Sequence, residues 1–87
     1  MGKVPCKAHY SIDGDWTYTE WFISKDAMPE KVKASFSKSK YRDNKILSVA
    51  KVEYPKSADL YRYDVKDGVL KPNVFFNIGG ELVKTNQ

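Results

Sequence analysis

Hydrophobic and polar residues alternate along the first stretch of the chain, which is the pattern of a half-buried β-strand. One side of this strand carries the residues of a predicted core face: Val4, Cys6, Ala8, Tyr10 and Ile12. The dipeptide Asp13-Gly14 follows and predicts a two-residue hairpin turn with two positive-φ positions. Counting back from that turn pairs Lys7 with Glu20, so opposite charges meet across the strands. Residues 3–24 therefore predict a β-hairpin, with Trp21 and Ile23 completing its core face.

A helix is predicted over residues 29–40, after the hairpin. Pro29 suits the first position of a helix, and Glu30 suits the positive end of the helix dipole. Apolar and small residues recur at helical spacing on one face of this segment: Met28, Val32, Ser35, Phe36 and Ser39. Lysines flank that face, so the helix is expected to pack its apolar side on a sheet.

The rest of the chain predicts four more strands, over residues 46–54, 60–66, 73–78 and 81–84. Turn residues separate them, and no second helical pattern intervenes. The predicted order is β-β-α-β-β-β-β. The fold class is therefore α+β, an antiparallel β-sheet with one helix packed on one face.

The chain also contains an internal repeat. Residues 10–16 and 76–82 share the order aromatic, polar, Ile, turn residue, Gly, acid, apolar, at an offset of 66 positions (76 minus 10). We expect residues 28–84 to form one full repeat and residues 3–24 to resemble the closing hairpin of a preceding one.

This ordered series of motifs resembles the PepSY-like family, also described as β-lactamase-inhibitor-like. The resemblance covers roughly residues 8–84 and rests on six motifs: 10–16 with Thr19-Glu20, 28–32, 39–41, 46–49, 61–65 and 75–82. It implies that residues 1–87 are a single PepSY-like domain of an exported bacterial protein of the Bacteroidetes type, located in the periplasm or outside the cell. It implies no catalytic residues and no cofactor.

Composition narrows the function classes further. The chain has 87 residues, of which 41% are hydrophobic and 30% charged, so it suits one small globular domain. No apolar run has the length of a transmembrane helix, and the sequence begins without a secretory leader. A chain exported in this form would therefore have lost its leader.

Candidate catalytic chemistry is sparse, since the chain has one cysteine and one histidine. Cys6 cannot form an internal disulfide, and we expect it to be a buried, inert thiol. Cys6 and His9 are an odd number of residues apart in one strand, so they lie on opposite faces and cannot act as a nucleophile pair. We expect no enzyme activity, no metal and no cofactor.

Basic residues are concentrated in residues 29–45, where six of them stand against Glu30 and Asp43. Such a segment can attract nucleic acid, but only Arg42 among its cations is an arginine. A solvated, lysine-rich helix face is the favoured interpretation.

Aromatic residues on the second face of the first hairpin are the most informative feature. One helix cannot cover both sides of a sheet, and an uncovered aromatic patch usually marks a binding surface. The candidate partner-binding residues are His9, Trp16, Tyr18 and Phe22, with Phe75 and Leu82 on the same face if both hairpins join one sheet.

Three function hypotheses follow. The leading one is a non-enzymatic exported module that binds a protein or peptide on this open aromatic face. The second is a structural repeat that associates with its own copy as a homodimer. The third, a nucleic-acid binder that uses the lysine-rich helix, is the least favoured of the three, and we expect no nucleic-acid partner.

Overall fold

Six antiparallel strands form one sheet in which each strand pairs with its neighbours in sequence. The computed structural model describes residues 5–86. Its strands are β1 (Cys6–Tyr10), β2 (Trp16–Phe22), β3 (Lys45–Glu53), β4 (Leu60–Lys66), β5 (Asn73–Phe76) and β6 (Leu82–Asn86). A 3₁₀ turn (Lys25–Ala27) and the helix α1 (Glu30–Ser37) lie between β2 and β3. The predicted α+β class, with one helix packed on an antiparallel sheet, is confirmed.

The helix α1 is shorter than predicted because serine hydroxyl groups compete for its last carbonyl groups. The Ser37 hydroxyl donates to the Ala34 carbonyl oxygen at 2.8 Å, and the Ser39 hydroxyl donates to the Phe36 carbonyl oxygen at 2.7 Å. Such local bonds favour turns over helix. The helix therefore ends at Ser37, and the chain continues through turns to β3.

The hydrophobic core lies between α1 and the middle strands β3, β4 and β5. Its buried residues are Met28, Val32, Phe36, Tyr41, Val49, Tyr63, Val65, Val74 and Phe76. The Phe36 ring stacks on Tyr63 at a centroid distance of 4.0 Å, and Tyr63 meets Phe76 edge-on at 6.0 Å. Burial raises the pKa of Tyr63. The predicted burial of Met28, Val32 and Phe36 is confirmed.

The core does not extend under β1, so the predicted core face is wrong for that strand, whereas Ile23 at the end of the hairpin is half-buried and packs against the core as predicted. Cys6 is exposed rather than buried, and Tyr10 and Ile12 are 64% and 103% exposed. These residues share a side of the sheet with α1, but α1 packs over β3 to β5 and leaves β1 uncovered. Val4 lies outside the described residues.

The turn of the first hairpin has three residues between its ends rather than two. The Ser11 N–H donates to the Asp15 carbonyl oxygen at 2.8 Å, and the Gly14 N–H donates to the Ser11 carbonyl oxygen at 2.9 Å. A two-residue turn would force Asp13 to a positive φ. The longer turn needs a positive φ only at Gly14, where it is +90°.

This turn gives β2 one more residue than the facing part of β1. The pairing of Lys7 with Glu20 is as predicted, but the register shifts after His9, and Tyr10 pairs with Trp16. Such a β-bulge reverses which side of the sheet the following side chains occupy.

The β5–β6 hairpin has the same geometry 66 positions later in the sequence. The Asn77 N–H donates to the Glu81 carbonyl oxygen at 3.0 Å, and the register shift leaves Phe76 opposite Leu82. The division into a full repeat at 28–84 and a closing hairpin at 3–24 stays a prediction, which this shared geometry supports.

The two hairpin glycines provide a matched stability test. A Cβ atom at Gly80 would lie 2.6 Å from the Lys31 carbonyl oxygen of α1, whereas one at Gly14 would meet nothing within 4 Å. Both glycines have positive φ, so alanine strains both backbones similarly. We expect Gly14→Ala to reduce the free energy of unfolding by about 1 kcal/mol, and Gly80→Ala by about 2 kcal/mol more because of the clash. Equal losses in urea denaturation would contradict the contact with α1.

A second prediction tests the position of the core. Phe36→Ala should reduce the free energy of unfolding by about 3 kcal/mol, because it opens a cavity against Tyr63. Lys33→Ala, on the solvent side of α1, should change it by less than about 0.5 kcal/mol. Denaturant unfolding of both variants measures the difference, and similar losses would mean that α1 presents a different face to the sheet.

Candidate functional site

The sheet face opposite α1 is called the open face, since no described helix covers it. Cross-strand pairing places the following residues on it: His9, Tyr18, Glu20, Phe22, Ser48, Ala50, Val52, Arg62, Asp64, Asn73, Phe75, Lys84 and Asn86. Side chains directly opposite one another in an antiparallel sheet point to the same face. All six strands therefore contribute to this surface.

The open face contains a concavity of about 300 Å³, called the open groove. Its lining comes from β2 to β6 and from Tyr54, which directly follows β3: Tyr18, Val52, Tyr54, Arg62, Asn73, Phe75, Lys84 and Asn86. The groove has an apolar floor and polar groups around it. This combination is typical of binding sites on proteins.

An ion network crosses the open face at Glu20. One Glu20 carboxylate oxygen accepts a hydrogen bond from His9 Nε2 at 2.7 Å, and the other accepts one from the Arg62 guanidinium. The side chains of Arg62 and Glu20 are 12% and 13% exposed. Three strands are thereby linked through side chains that are half-buried or more.

Asp64 extends this network to the neighbouring strands. Its carboxylate accepts hydrogen bonds from the Ser48 hydroxyl and the Asn73 amide, both at 2.6 Å. Arg62 Nε lies 2.9 Å from Asp64 Oδ1, although its N–H lacks a well-aligned hydrogen bond. The Arg62–Asp64 contact is therefore an ion pair that orients the guanidinium.

Burial and pairing act in opposite directions on these charges. Burial disfavours the ionised form of Glu20, but hydrogen bonds with His9 and Arg62 outweigh it and hold the pKa of Glu20 below its ordinary value of 4.5. Burial likewise lowers the pKa of Arg62, while Glu20 and Asp64 raise it by a larger amount. Glu20 and Arg62 are consequently both charged at neutral pH.

Aromatic side chains on the open face are covered by one another and by cations. The His9 ring stacks on Tyr18 at 4.1 Å, and Tyr18 lies 6.2 Å from Tyr54. The Lys84 ammonium lies 4.7 Å from the centre of the Phe75 ring. Burial raises the pKa of Tyr54. The surface is therefore a packed layer of rings and long side chains rather than a bare aromatic patch.

The structure brings together four of the six candidate partner-binding residues. His9, Tyr18, Phe22 and Phe75 lie on the open face, and their binding role stays a prediction.

Trp16 and Leu82 do not lie on the open face, so their predicted placement is wrong. The β-bulges pair them with Tyr10 and Phe76, which belong to the side of α1. The Trp16 indole N–H accordingly donates to the Thr19 hydroxyl at 2.8 Å, and Thr19 shares that side. One inserted residue in each hairpin causes the change.

Sequence analysis missed the charged centre of the site, Glu20, Arg62 and Asp64. A signal was present, because Arg62 and Asp64 alternate with Tyr61, Tyr63 and Val65 in one predicted strand. Charges at these alternate positions could have indicated an open face built around an ion pair. Glu20, the ion-pair partner of Arg62, is matched with Lys7 in the sequence analysis instead.

Residues 5–86 contain no cluster of three or more histidine, cysteine, aspartate or glutamate side chains able to hold a metal ion. Within the same range, no helix has the length and apolar character needed to cross a membrane.

A comparison with known protein families assigns this chain to one of them. Residues 3–84 match the family described as "Putative beta-lactamase-inhibitor-like, PepSY-like". The chain belongs to the PepSY-like family. No curated protein matches its sequence.

Solved structures share the fold of this PepSY-like chain. A DUF2874 family protein from Bacteroides uniformis superposes with a TM-score of 0.84 at 21% identity, covering 99% of this chain and 64% of that one. A BLIP-like protein from Bacteroides fragilis has a TM-score of 0.82 at 23% identity, covering 93% and 58%.

A third similar structure is described as one of the "putative periplasmic proteins" of Bacteroides eggerthii, with a TM-score of 0.85 and 19% identity over 99% of this chain and 64% of that one. At these identities the likeness shows the fold alone. The PepSY-like chain spans less than two thirds of the length of each of these three proteins.

The ion network predicts a pH-dependent contribution of Glu20 to stability. Because its folded pKa is lowered, this contribution is complete above the ordinary value of 4.5 and is lost as the pH falls through the folded value. Glu20→Gln should reduce the free energy of unfolding by about 2 kcal/mol at neutral pH, and the difference from the unsubstituted protein should shrink in acid.

Glu30→Gln is the matched control, since the Glu30 side chain is 90% exposed. Urea denaturation at several pH values should show a loss of less than about 0.5 kcal/mol for this variant, because an exposed ion pair such as Glu30–Lys33 contributes little. A Glu20→Gln effect that is independent of pH would contradict the network as described.

Proposed function

We propose that this PepSY-like chain is a non-enzymatic binding module that holds a protein or peptide in its open groove. The observation that carries the proposal is the groove itself, a concavity across five strands with Tyr18, Tyr54 and Lys84 around it. Aromatic and cationic side chains on a concave surface are the groups that contribute most at protein interfaces.

The ion network holds the side chains of this surface in place before a partner binds. Arg62 is held by Glu20 and Asp64, and the His9 ring fixes Tyr18 by stacking. Side chains that are already ordered lose little conformational entropy when a partner arrives. A binding role is therefore supported by rigidity as well as by shape.

The hydrogen bonds that the carboxylates of the site accept favour a binding role over a catalytic one. Glu20 and Asp64 each accept hydrogen bonds on both oxygens, from His9 and Arg62 and from Ser48 and Asn73. A general base needs a carboxylate that reaches the substrate. The β-lactamase-inhibitor-like description of the family likewise supports a protein partner and no enzyme activity.

The groove also favours acidic groups on its partner. Lys84 is exposed, and within residues 5–86 no carboxylate lies within ion-pair distance of its ammonium group. An acidic side chain of a bound peptide could pair with it while an apolar neighbour packs on Tyr54. We propose that the partner presents such an acidic and apolar segment.

The same proposal includes export to the periplasm or the outside of the cell. The family resemblance and the Bacteroides eggerthii neighbour support it. We propose no nucleic-acid role for the lysine-rich helix, because the aromatic residues nearest to it, Phe36 and Tyr41, are buried and cannot stack on bases.

Affinity capture from a bacterial envelope lysate tests the open groove. We expect the unsubstituted protein to retain a specific protein, and Tyr18→Ser to reduce its capture at least tenfold. Val69→Ser is the control, because Val69 is 95% exposed outside the groove. Thermal unfolding should show that both variants stay folded. Recovery of the same proteins by Tyr18→Ser, or of no specific protein, would count against the proposal.

A further inference from the structure

The two cations that line the open groove differ in how they are paired. Arg62 forms ion pairs with Glu20 and Asp64, so its charge is neutralised within the protein. Lys84 is exposed, and no carboxylate of residues 5–86 lies within ion-pair distance of its ammonium group. The groove therefore offers a ligand one free positive charge, and Lys84 carries it.

This free charge lies at the β5–β6 end of the groove. Lys84 is directly opposite Phe75 in the sheet, and its ammonium lies 4.7 Å from the centre of the Phe75 ring. The lysine side chain thus leans inward over β5. Asn73 and Asn86 face each other in the next row of the open face and also line the groove. Their carboxamide groups can donate and accept hydrogen bonds beside an anion that is held by Lys84.

The other end of the groove is aromatic. The Tyr18 and Tyr54 rings lie 6.2 Å apart, and both residues are half-buried. Stacking on His9 fixes the Tyr18 ring from its far side. An additional aromatic ring packs favourably on such a pair in an offset or edge-to-face arrangement. This end of the groove therefore suits an aromatic side chain of a ligand.

The strand register gives the separation of the two ends. Ala50 pairs with Arg62 and Arg62 pairs with Phe75, so β3 and β5 are two strand spacings apart in this row. Tyr54 follows Ala50 by four residues. Four strand residues cover about 13 Å and two strand spacings about 10 Å, so the ends lie roughly 16 Å apart along a diagonal of the sheet.

An extended peptide has side chains at a spacing that matches this distance. Its side chains alternate between two faces, so only residues an even number of positions apart both point to the sheet. Residues four positions apart are about 13 Å apart, and the length of an acidic and an aromatic side chain covers the rest. Two positions span only about 7 Å, and six positions span about 20 Å.

We propose that the open groove binds an extended peptide segment with an acidic and an aromatic residue four positions apart. The carboxylate pairs with Lys84, and the aromatic side chain packs on Tyr18 and Tyr54. This inference rests on the binding function proposed for the groove and specifies the ligand. One free cation in the groove also favours a peptide over a nucleic acid, whose binding depends on many phosphate contacts.

Threonine-rich peptides of nine residues provide the probes, with acetylated and amidated ends that carry no charge. Threonine favours an extended backbone. The first peptide has glutamate and phenylalanine four positions apart, the second has them three positions apart, and the third has glutamine in place of glutamate at the four-position spacing. Each is made with the acidic or amide residue before and after phenylalanine, because the geometry defines the spacing and not the chain direction.

NMR titration of the backbone amide signals measures the dissociation constants and locates the binding site. We expect the first peptide, in one of its two directions, to bind with a Kd below about 1 mM and to shift the signals of Val52, Phe75 and Lys84. The second and third peptides should bind about fivefold more weakly, since each loses one of the two contacts.

Lys84→Gln tests the charge contact directly. This variant should bind the glutamate peptide about fivefold more weakly and the glutamine peptide unchanged, because the ion pair is absent from the second comparison. Lys66→Gln is the matched control, since Lys66 is an exposed lysine of β4 that does not line the groove. It should change neither affinity by more than about twofold. The amide spectra should show that both variants stay folded.

Three results would overturn the proposal: no saturable binding of the first peptide up to about 1 mM, equal affinity for the three- and four-position spacings, or an equal effect of Lys84→Gln on the glutamate and glutamine peptides. The capture experiment with Tyr18→Ser tests the binding function separately. Capture that depends on Tyr18, combined with one of these results, would contradict the spacing motif alone. Spacing-dependent peptide binding without specific capture would contradict the proposed protein partner and support the motif.

Discussion

One short helix has to stabilise a sheet much wider than itself, and most features of this protein follow from that mismatch. An α-helix with its side chains is about 10–12 Å across, whereas six strands about 4.8 Å apart span roughly 24 Å. The helix α1 therefore covers β3 to β5 and leaves β1 and the turn of the first hairpin uncovered on the same side. The exposure of Cys6, Tyr10 and Ile12 is a direct consequence of this geometry.

On the open face, side chains alone cover the strands. Ala50 and Val52 are buried there although no helix covers them. The side chains of Arg62, Phe22 and Tyr54 lie over the sheet and shield these residues. An arginine can do this only if its charge is paired, and Glu20 and Asp64 provide that pairing from both sides.

The two faces thus present different kinds of surface. The open groove combines an apolar floor with polar groups around it, and ion pairs hold its Arg62 side chain in place. The α1 side of the β1–β2 hairpin exposes Tyr10 and Ile12 and has open space at Gly14. The two similar hairpins differ in this respect, because α1 contacts the β5–β6 turn at Gly80 and leaves the corresponding turn at Gly14 open.

Local pattern alone determined much of the fold. Alternation and turn residues identified all six strands, and helical spacing identified the face that carries Val32 and Phe36. The pairing of Lys7 with Glu20 and the match between the two hairpins were also readable from the sequence. These features depend on neighbours in the chain, so a single sequence contains them.

Only the tertiary structure decided which surfaces are covered and which side of the sheet Trp16 and Leu82 occupy. A bulge of one residue reverses a side chain's face, and it depends on turn geometry that the Asp13-Gly14 pattern does not specify. The Arg62–Glu20 pair joins residues 42 positions apart on strands that are not adjacent, so no local pattern predicts it. Which strands α1 covers depends on where the helix packs. That position is determined only when the whole sheet has assembled.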